Sequence, residues 1–130
     1  YLKYHVTSSD EWVDETEFLR IYERGYNCQM ATVVTLPNRC TIITFKRFFE
    51  RGTATEPDGG SIVRHVYTPR GFFYSEETLL DPATLGRYGN RPHTTAYQAA
   101  GVRYLITTWD EADATGITLG AYMRVDRIDW

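Results

Sequence analysis

Strict alternation of apolar and polar residues marks the carboxyl-terminal end of this chain. Ile117, Leu119, Ala121, Met123 and Val125 fall on one side of an extended strand; Thr118, Gly120, Tyr122, Arg124 and Asp126 fall on the other. Successive side chains of a strand point to opposite faces, so the pattern predicts one strand with the apolar set on a core and the Tyr122–Arg124 set toward water. After Asp126 the phase slips, with Ile128 and Trp130 now carrying the apolar side chains. A bulge near Asp126–Arg127 would return both to the core.

QMATVVT (29–35) and CTIITFKRFF (40–49) are rich in β-branched and aromatic residues and flank Pro37–Asn38, which predicts a hairpin. SIVRHVY (61–67), the turn TPRG and FFYS (72–75) predict a second. VRYLITTW (102–109) reads as a strand before the loop DEADATG, and YLKYHV (1–6) as another strand. Between YLKYHV and the first hairpin, Ser8 stands three residues before Glu11, and Trp12, Leu19 and Tyr22 recur at helical spacing up to Gly25. A capping box, acidic first turns and a glycine stop predict a helix over 9–24, with a short helix followed by a strand FLRIY as the alternative. ERGTATEPDGG (50–60) is a polar Gly/Pro loop, and EETLLDPATLGRY (76–88) holds a turn or two of helix interrupted near Pro82. RYGNRPHTTAYQ (87–98) reads as a long connection. The expected fold is mainly β: an antiparallel β-sandwich or barrel with one N-terminal α-helix, α+β being the alternative, in a single domain over 1–130.

Composition changes this picture in a few places. Aromatic residues make up 15%, ten of them tyrosine, which suits half-buried sheet faces and interfaces. A net charge of −3 argues against general nucleic-acid binding, which needs a basic footprint. Twelve arginines stand against two lysines, Lys3 and Lys46; arginine is the better fork for carboxylate, phosphate or aromatic partners, though codon bias gives the same skew. No stretch approaches the roughly twenty apolar residues of a membrane span. With no initiating methionine and strand-like ends, YLKYHV and RIDW, the chain reads as a processed or trimmed product. If LPNR (36–39) is the hairpin turn, Thr35 faces Cys40 and Cys28 lies near Arg47. The seven residues between strand positions 40 and 47 span about 20 Å, far beyond the ~7 Å Cα limit of a disulfide. Two free thiols follow, as a reducing compartment leaves them.

Candidate chemistry begins with 87–98. Gly89–Asn90 is a turn dipeptide, and Pro92 restricts Arg91 to extended backbone. Arg87, Arg91 and His93 are placed to converge on a phosphate or carboxylate, or to pair as a solvated loop with the chain's surplus acids. Asp110, Glu111 and Asp113 offer oxygen ligands to a hard cation but lack the order of an EF-hand loop, so they read as an acidic hairpin loop. His5, His65 and His93 lack the close spacing of a metal motif. No metal and no cofactor are called for. Neither a Gly-x-Ser-x-Gly elbow nor a cysteine nucleophile motif is present.

YHVTSS (4–9), a strand ending in Tyr-His-x-Thr-Ser ahead of a helix and a glycine, resembles the opening of some ADP-ribosyltransferase domains. The resemblance implies that His5 contacts the ribose of NAD, that Thr7–Ser8 close the strand, and that FFYSEE (72–77) stands for the family's middle strand. It leaves the polarising acid open between Glu111 and Asp126, and the long hairpin between 29 and 67 departs from the family's compact pattern. A strand histidine followed by a capping box explains the same residues.

The leading expectation is a non-catalytic binding or assembly module, a structural or interaction subunit such as a viral one. Arg87, Tyr88, Arg91, His93, Tyr97, Tyr122 and Arg124 are its binding candidates, because arginine and tyrosine are favoured in interface cores. Its partner would be another protein or a second copy. The first alternative is a small enzyme using NAD or an anion, with His5, His93 and Glu111 as catalytic candidates. The second is a β-barrel holding a small ligand.

Overall fold

The computed structural model describes residues 5–6, 11–12, 26–49 and 60–128. Two antiparallel sheets dominate it. Strands β3 (Tyr26–Thr35), β4 (Thr41–Phe49), β5 (Ser61–Tyr67) and β6 (Phe73–Leu80) form a four-stranded meander; β7 (Tyr88–Ala99), β8 (Val102–Ala112) and β9 (Thr118–Ile128) form a three-stranded one. Two short strands, β1 (His5–Val6) and β2 (Glu11–Trp12), pair with each other. Helix, among the described residues, is confined to α1 (Pro82–Leu85). The helix expected over 9–24 is thus replaced by strand at Glu11–Trp12, and the rest of that stretch lies outside the described residues.

β4 and β5 build the centre. Ile42 through Lys46 and Ile62 through Tyr67 are buried on both faces of their sheet, and a strand covered on both sides loses polar alternation. On the face turned to the three-stranded sheet, Ile42 and Val66 pack with Leu36, Leu105 and Ile128. Ile62 packs there with Leu80 and Trp109, with Tyr122 against them. On the opposite face, Ile43, Phe45, Val63 and Tyr67 form a separate apolar layer.

The first hairpin forms where expected, with two departures that cancel. Its turn is one residue longer, so Thr35 faces Thr41 rather than Cys40, and Leu36 N–H donates to the Cys40 carbonyl at 2.8 Å. A bulge between Gln29 and Thr32, with Met30 at φ 54, restores the register and leaves Cys28 opposite Arg47. Cys40 is a free thiol.

Three corrections concern the second half. EETLL continues β6 as strand, and the helix is a single turn that starts at Pro82, capped by Asp81 and ended by Gly86 at φ 63. The stretch 87–98 is no loop but most of β7, which crosses to β8 through the two-residue turn Ala100–Gly101 with φ 48 and 78; both angles positive make this the type I′ geometry that matches strand twist. Pro92 is tolerated because a bulge lies between Asn90 and His93, where Arg91 adopts φ 48 instead of the expected extended backbone.

The third correction inverts β9. Its alternation is real, but the apolar set faces out: Ile117, Leu119, Met123 and Val125 are 65%, 47%, 66% and 51% exposed. Gly120, Tyr122, Arg124 and Asp126 are half-buried, and Ile128 is buried. From Gly120 onward the inner set is the even-numbered one, so Ile128 reaches the core in phase. No bulge occurs near Asp126, and the register shift lies instead between Glu111 and Ala112.

Candidate functional site

Directly paired residues of neighbouring strands share a face. The register therefore sets out the outer surface of the three-stranded sheet row by row. Met123 lies beside Thr108 and His93, Val125 beside Ile106 and Thr95, and Arg127 beside Tyr104 and Tyr97. His93, Thr95, Tyr97 and Thr108 are exposed; Tyr104 and Ile106 are half-buried. Large apolar side chains concentrate along β9, which is an edge strand: among the described residues its only ladder partner is β8.

What holds the apolar set outside is the chemistry of the inner set. Arg64 of β5 is buried, and its Nη2 donates to Thr107 Oγ1 at 2.8 Å and to Asp126 Oδ2 at 3.0 Å. Its Nη1 reaches Glu77 Oε2 at 3.4 Å. Arg124 donates from Nε to Asp126 Oδ1 at 2.8 Å and from Nη2 to Glu77 Oε1 at 2.6 Å. Burial pushes the Arg124 guanidinium down, but Glu77 and Asp126 outweigh it and hold the group above the ordinary arginine value. Beyond Thr107, a hydroxyl chain continues through Thr94 at 2.9 Å to Thr44 at 2.8 Å. Thr94 donates to Thr44 and Arg64 donates to Thr107, so Thr107 gives its proton to Thr94.

Beside this network lies a cleft of about 280 Å³, floored by Ile42, Val66, Leu105 and Ile128 and flanked by Arg64, Glu77 and Asp126. The buried Arg64 Nε has no hydrogen-bond partner there among the described residues.

The candidates named from sequence divide between the two faces. His93 and Tyr97 stand on the outer face, and Arg91, at the bulge, lies 3.8 Å from Asp110 at its margin. Tyr122 and Arg124 turn inward. Arg87 reaches the buried Glu111 at 3.4 Å, and Trp109 Nε1 donates to the same carboxylate at 2.9 Å. Tyr88 is half-buried opposite Ala112. Arg87 and Arg91 thus each meet a different carboxylate. His93 and Glu111 lie on opposite faces of one sheet, and His5 sits in β1 opposite Trp12.

Asp110, Glu111 and Asp113 diverge as well. Asp113 Oδ1 accepts from Thr115 Oγ1 at 2.6 Å, from Thr115 N–H at 2.8 Å and from Ile117 N–H at 3.0 Å. The Thr115 hydroxyl, then the Ile117 amide, hold its carboxyl below the usual range. Among the described residues no three His, Cys, Asp or Glu side chains are grouped to hold a metal.

His65 carries a constellation that sequence spacing did not single out. On the face of the four-stranded sheet away from the cleft, its Nε2 lies 2.7 Å from Glu76 and its Nδ1 3.1 Å from the Tyr67 hydroxyl. Arg47 grips Glu76 with two bonds of 3.0 Å. Burial pushes Glu76 up, yet the hydrogen bonds from Arg47 and His65 prevail and hold its carboxyl below the usual range. Burial and the Glu76 charge push the Tyr67 hydroxyl up. With Phe45 and Phe73 edge-on to the imidazole, these groups clamp β4, β5 and β6 together. The only available signal was the alternation that sets His65 and Tyr67 on one face of β5.

No family model, curated protein or solved structure matches the chain. Among the described residues, no helix is long and apolar enough to cross a membrane.

Proposed function

We propose that this chain is a non-catalytic binding or assembly module, a single domain built as a sandwich, whose working surface is the outer face of β7–β8–β9. The observation that supports this is the row of exposed large apolar side chains along β9, with Tyr97 (56% exposed) on the same sheet. Folded monomers rarely leave more than a few hundred Å² of contiguous apolar surface without a use. Threonines, tyrosines and a histidine around the stripe supply an interface's polar contacts. Of the sequence candidates, Arg91, His93 and Tyr97 belong to this surface. Arg87, Tyr122 and Arg124 support it from behind, as the scaffold that turns the stripe outward, and Tyr88 lies at its end, opposite Ala112.

A display library of random peptides panned against the folded chain tests this reading. The recovered peptides are expected to lose about tenfold or more in affinity for a Met123→Glu/Val125→Glu variant, since each side chain offers ~1.5–3 kcal/mol of burial. Both positions are exposed, so the variant keeps its fold. Peptides indifferent to the two substitutions would refute the surface assignment. The second reading, a small-ligand site, is favoured by the inter-sheet cleft and the unpaired Arg64 Nε.

A further inference from the structure

We infer that a second copy of the chain extends this surface, joined edge to edge along β9 in an antiparallel register centred on Met123. The inference rests on reading the outer face as an interface.

A free strand edge is a template for another strand, and proteins guard such edges with lysine, proline, bulges or short length. β9 carries little of this protection, its one bulge lying near its start, at Leu119 between Thr118 and Gly120. It is 11 residues long, contains neither lysine nor proline, and runs in unbroken register with β8 from Gly120 to Ile128. Strands that pair around a two-fold axis normal to the sheet place one residue opposite its own copy. Residue numbers of opposed pairs then add to an even sum, so odd positions meet odd ones and the two outer stripes merge.

Self-complementarity selects the register. Met123 is the midpoint of Thr118–Ile128, so centring there pairs Gly120–Asp126, the part of the strand beyond the bulge, with its own copy in unbroken register. On the outer face Met123 meets Met123 and Ala121 meets Val125. On the inner face Arg124 comes opposite a Tyr122 ring, a favourable cation–π partner, and Asp126 comes opposite Gly120. No like charges are opposed. A centre at Val125 would set Arg124 against Asp126 but forfeit the pairing of Thr118 to Ala121 with the described strand.

Directly opposed residues of an antiparallel pair have Cα atoms about 4.5–5.5 Å apart, within disulfide range. Thr108, one strand further in on the same face, would lie roughly 14 Å from its copy. The test oxidises Met123→Cys and Thr108→Cys variants separately, with the wild-type chain and its Cys28 and Cys40 as the blank, beside light-scattering mass across a concentration series. The expected result is a doubled mass at high concentration, a covalent dimer from Met123→Cys and none above the blank from Thr108→Cys. A doubled mass without the Met123→Cys bridge, or equal bridging at both positions, overturns the edge register while leaving the outer face as an interface. A single-chain mass throughout, with no bridge, overturns the second copy as partner, and the peptide selection then decides the surface by itself.

Discussion

Replacing Arg64 with alanine is expected to remove about 3 kcal/mol or more of folding stability, the largest effect of any single charged residue described. The side chain is only 6% exposed and holds Asp126 at 3.0 Å and Thr107 at 2.8 Å. Truncation strands partly buried polar groups, which costs ~3–5 kcal/mol when one partner of a buried pair is lost. The contact to Glu77 adds little, being 3.4 Å long with a carboxylate 46% exposed. Arg124 stays on Asp126 and keeps the loss toward the lower end. Urea unfolding measures it. An Arg64→Met variant restores much of the volume without the charge, so a similar loss in both variants locates the cost in the ion pairs. A loss below about 1 kcal/mol in either would show that the network does not hold the sheets together.

Gly89→Ala is expected to cost roughly 2–3 kcal/mol although it adds one methyl group, at the upper end of what overpacking a core usually costs. The new Cβ would fall onto Ile62 Cγ1 and stand 2.6 Å from Ile62 Cδ1 and 2.7 Å from Leu80 Cδ2. Neither side chain has room to retreat, with Ile62 fully buried and Leu80 at 2% exposure against Trp109. Gly89 is also tied to Gly60 by reciprocal backbone bonds of 2.8 and 2.7 Å, so the backbone cannot shift without breaking this bridge. Thermal unfolding of the variant reads the effect, and an unchanged melting temperature would mean that the contact is looser than described.

Glycine 89 was legible only as a turn residue, and that contrast runs through the chain. Features set by neighbours in sequence were readable. The β-branched runs gave β3, β4 and β5, and the Pro37–Asn38 turn gave the first hairpin to within one residue. Features set by distant contacts were not. Alternation in β9 showed two faces but not which one turns inward, because that is decided by Arg64 and Glu77, 62 and 49 residues before Asp126. Hydrophobicity pointed the wrong way once paired charges took the inner positions. Glu76 and Glu77 looked like the start of a helix, yet each points to its own face of β6 and meets its own arginines. The arginine excess finds a physical use here: Arg47, Arg64, Arg87 and Arg124 all fork or reach onto carboxylates between strands. In β7, Asn90 and Pro92 carried the signature of a loop, but a bulge absorbs both without ending the strand.

Among the binding candidates, residue type was legible and direction was not. Tyr97 and His93 reached the outer face, while Tyr122 and Arg124, chosen as a wet pair, became the groups that fasten β9 to β5 and β6. The stripe at Leu119, Met123 and Val125 was read as core. Its exposure is the finding on which both the interface and its pairing rest.

Oxidative footprinting of the two methionines tests that exposure most directly. Met30 and Met123 are 49% and 66% exposed, so each serves as the reference for the other. In dilute solution Met123 should form sulfoxide at least as fast as Met30, and it should become partly protected as concentration rises and the two Met123 side chains meet. If Met123 stays protected at every dilution while Met30 oxidises, the apolar face of β9 lies in the core after all, and the surface proposed to bind does not exist.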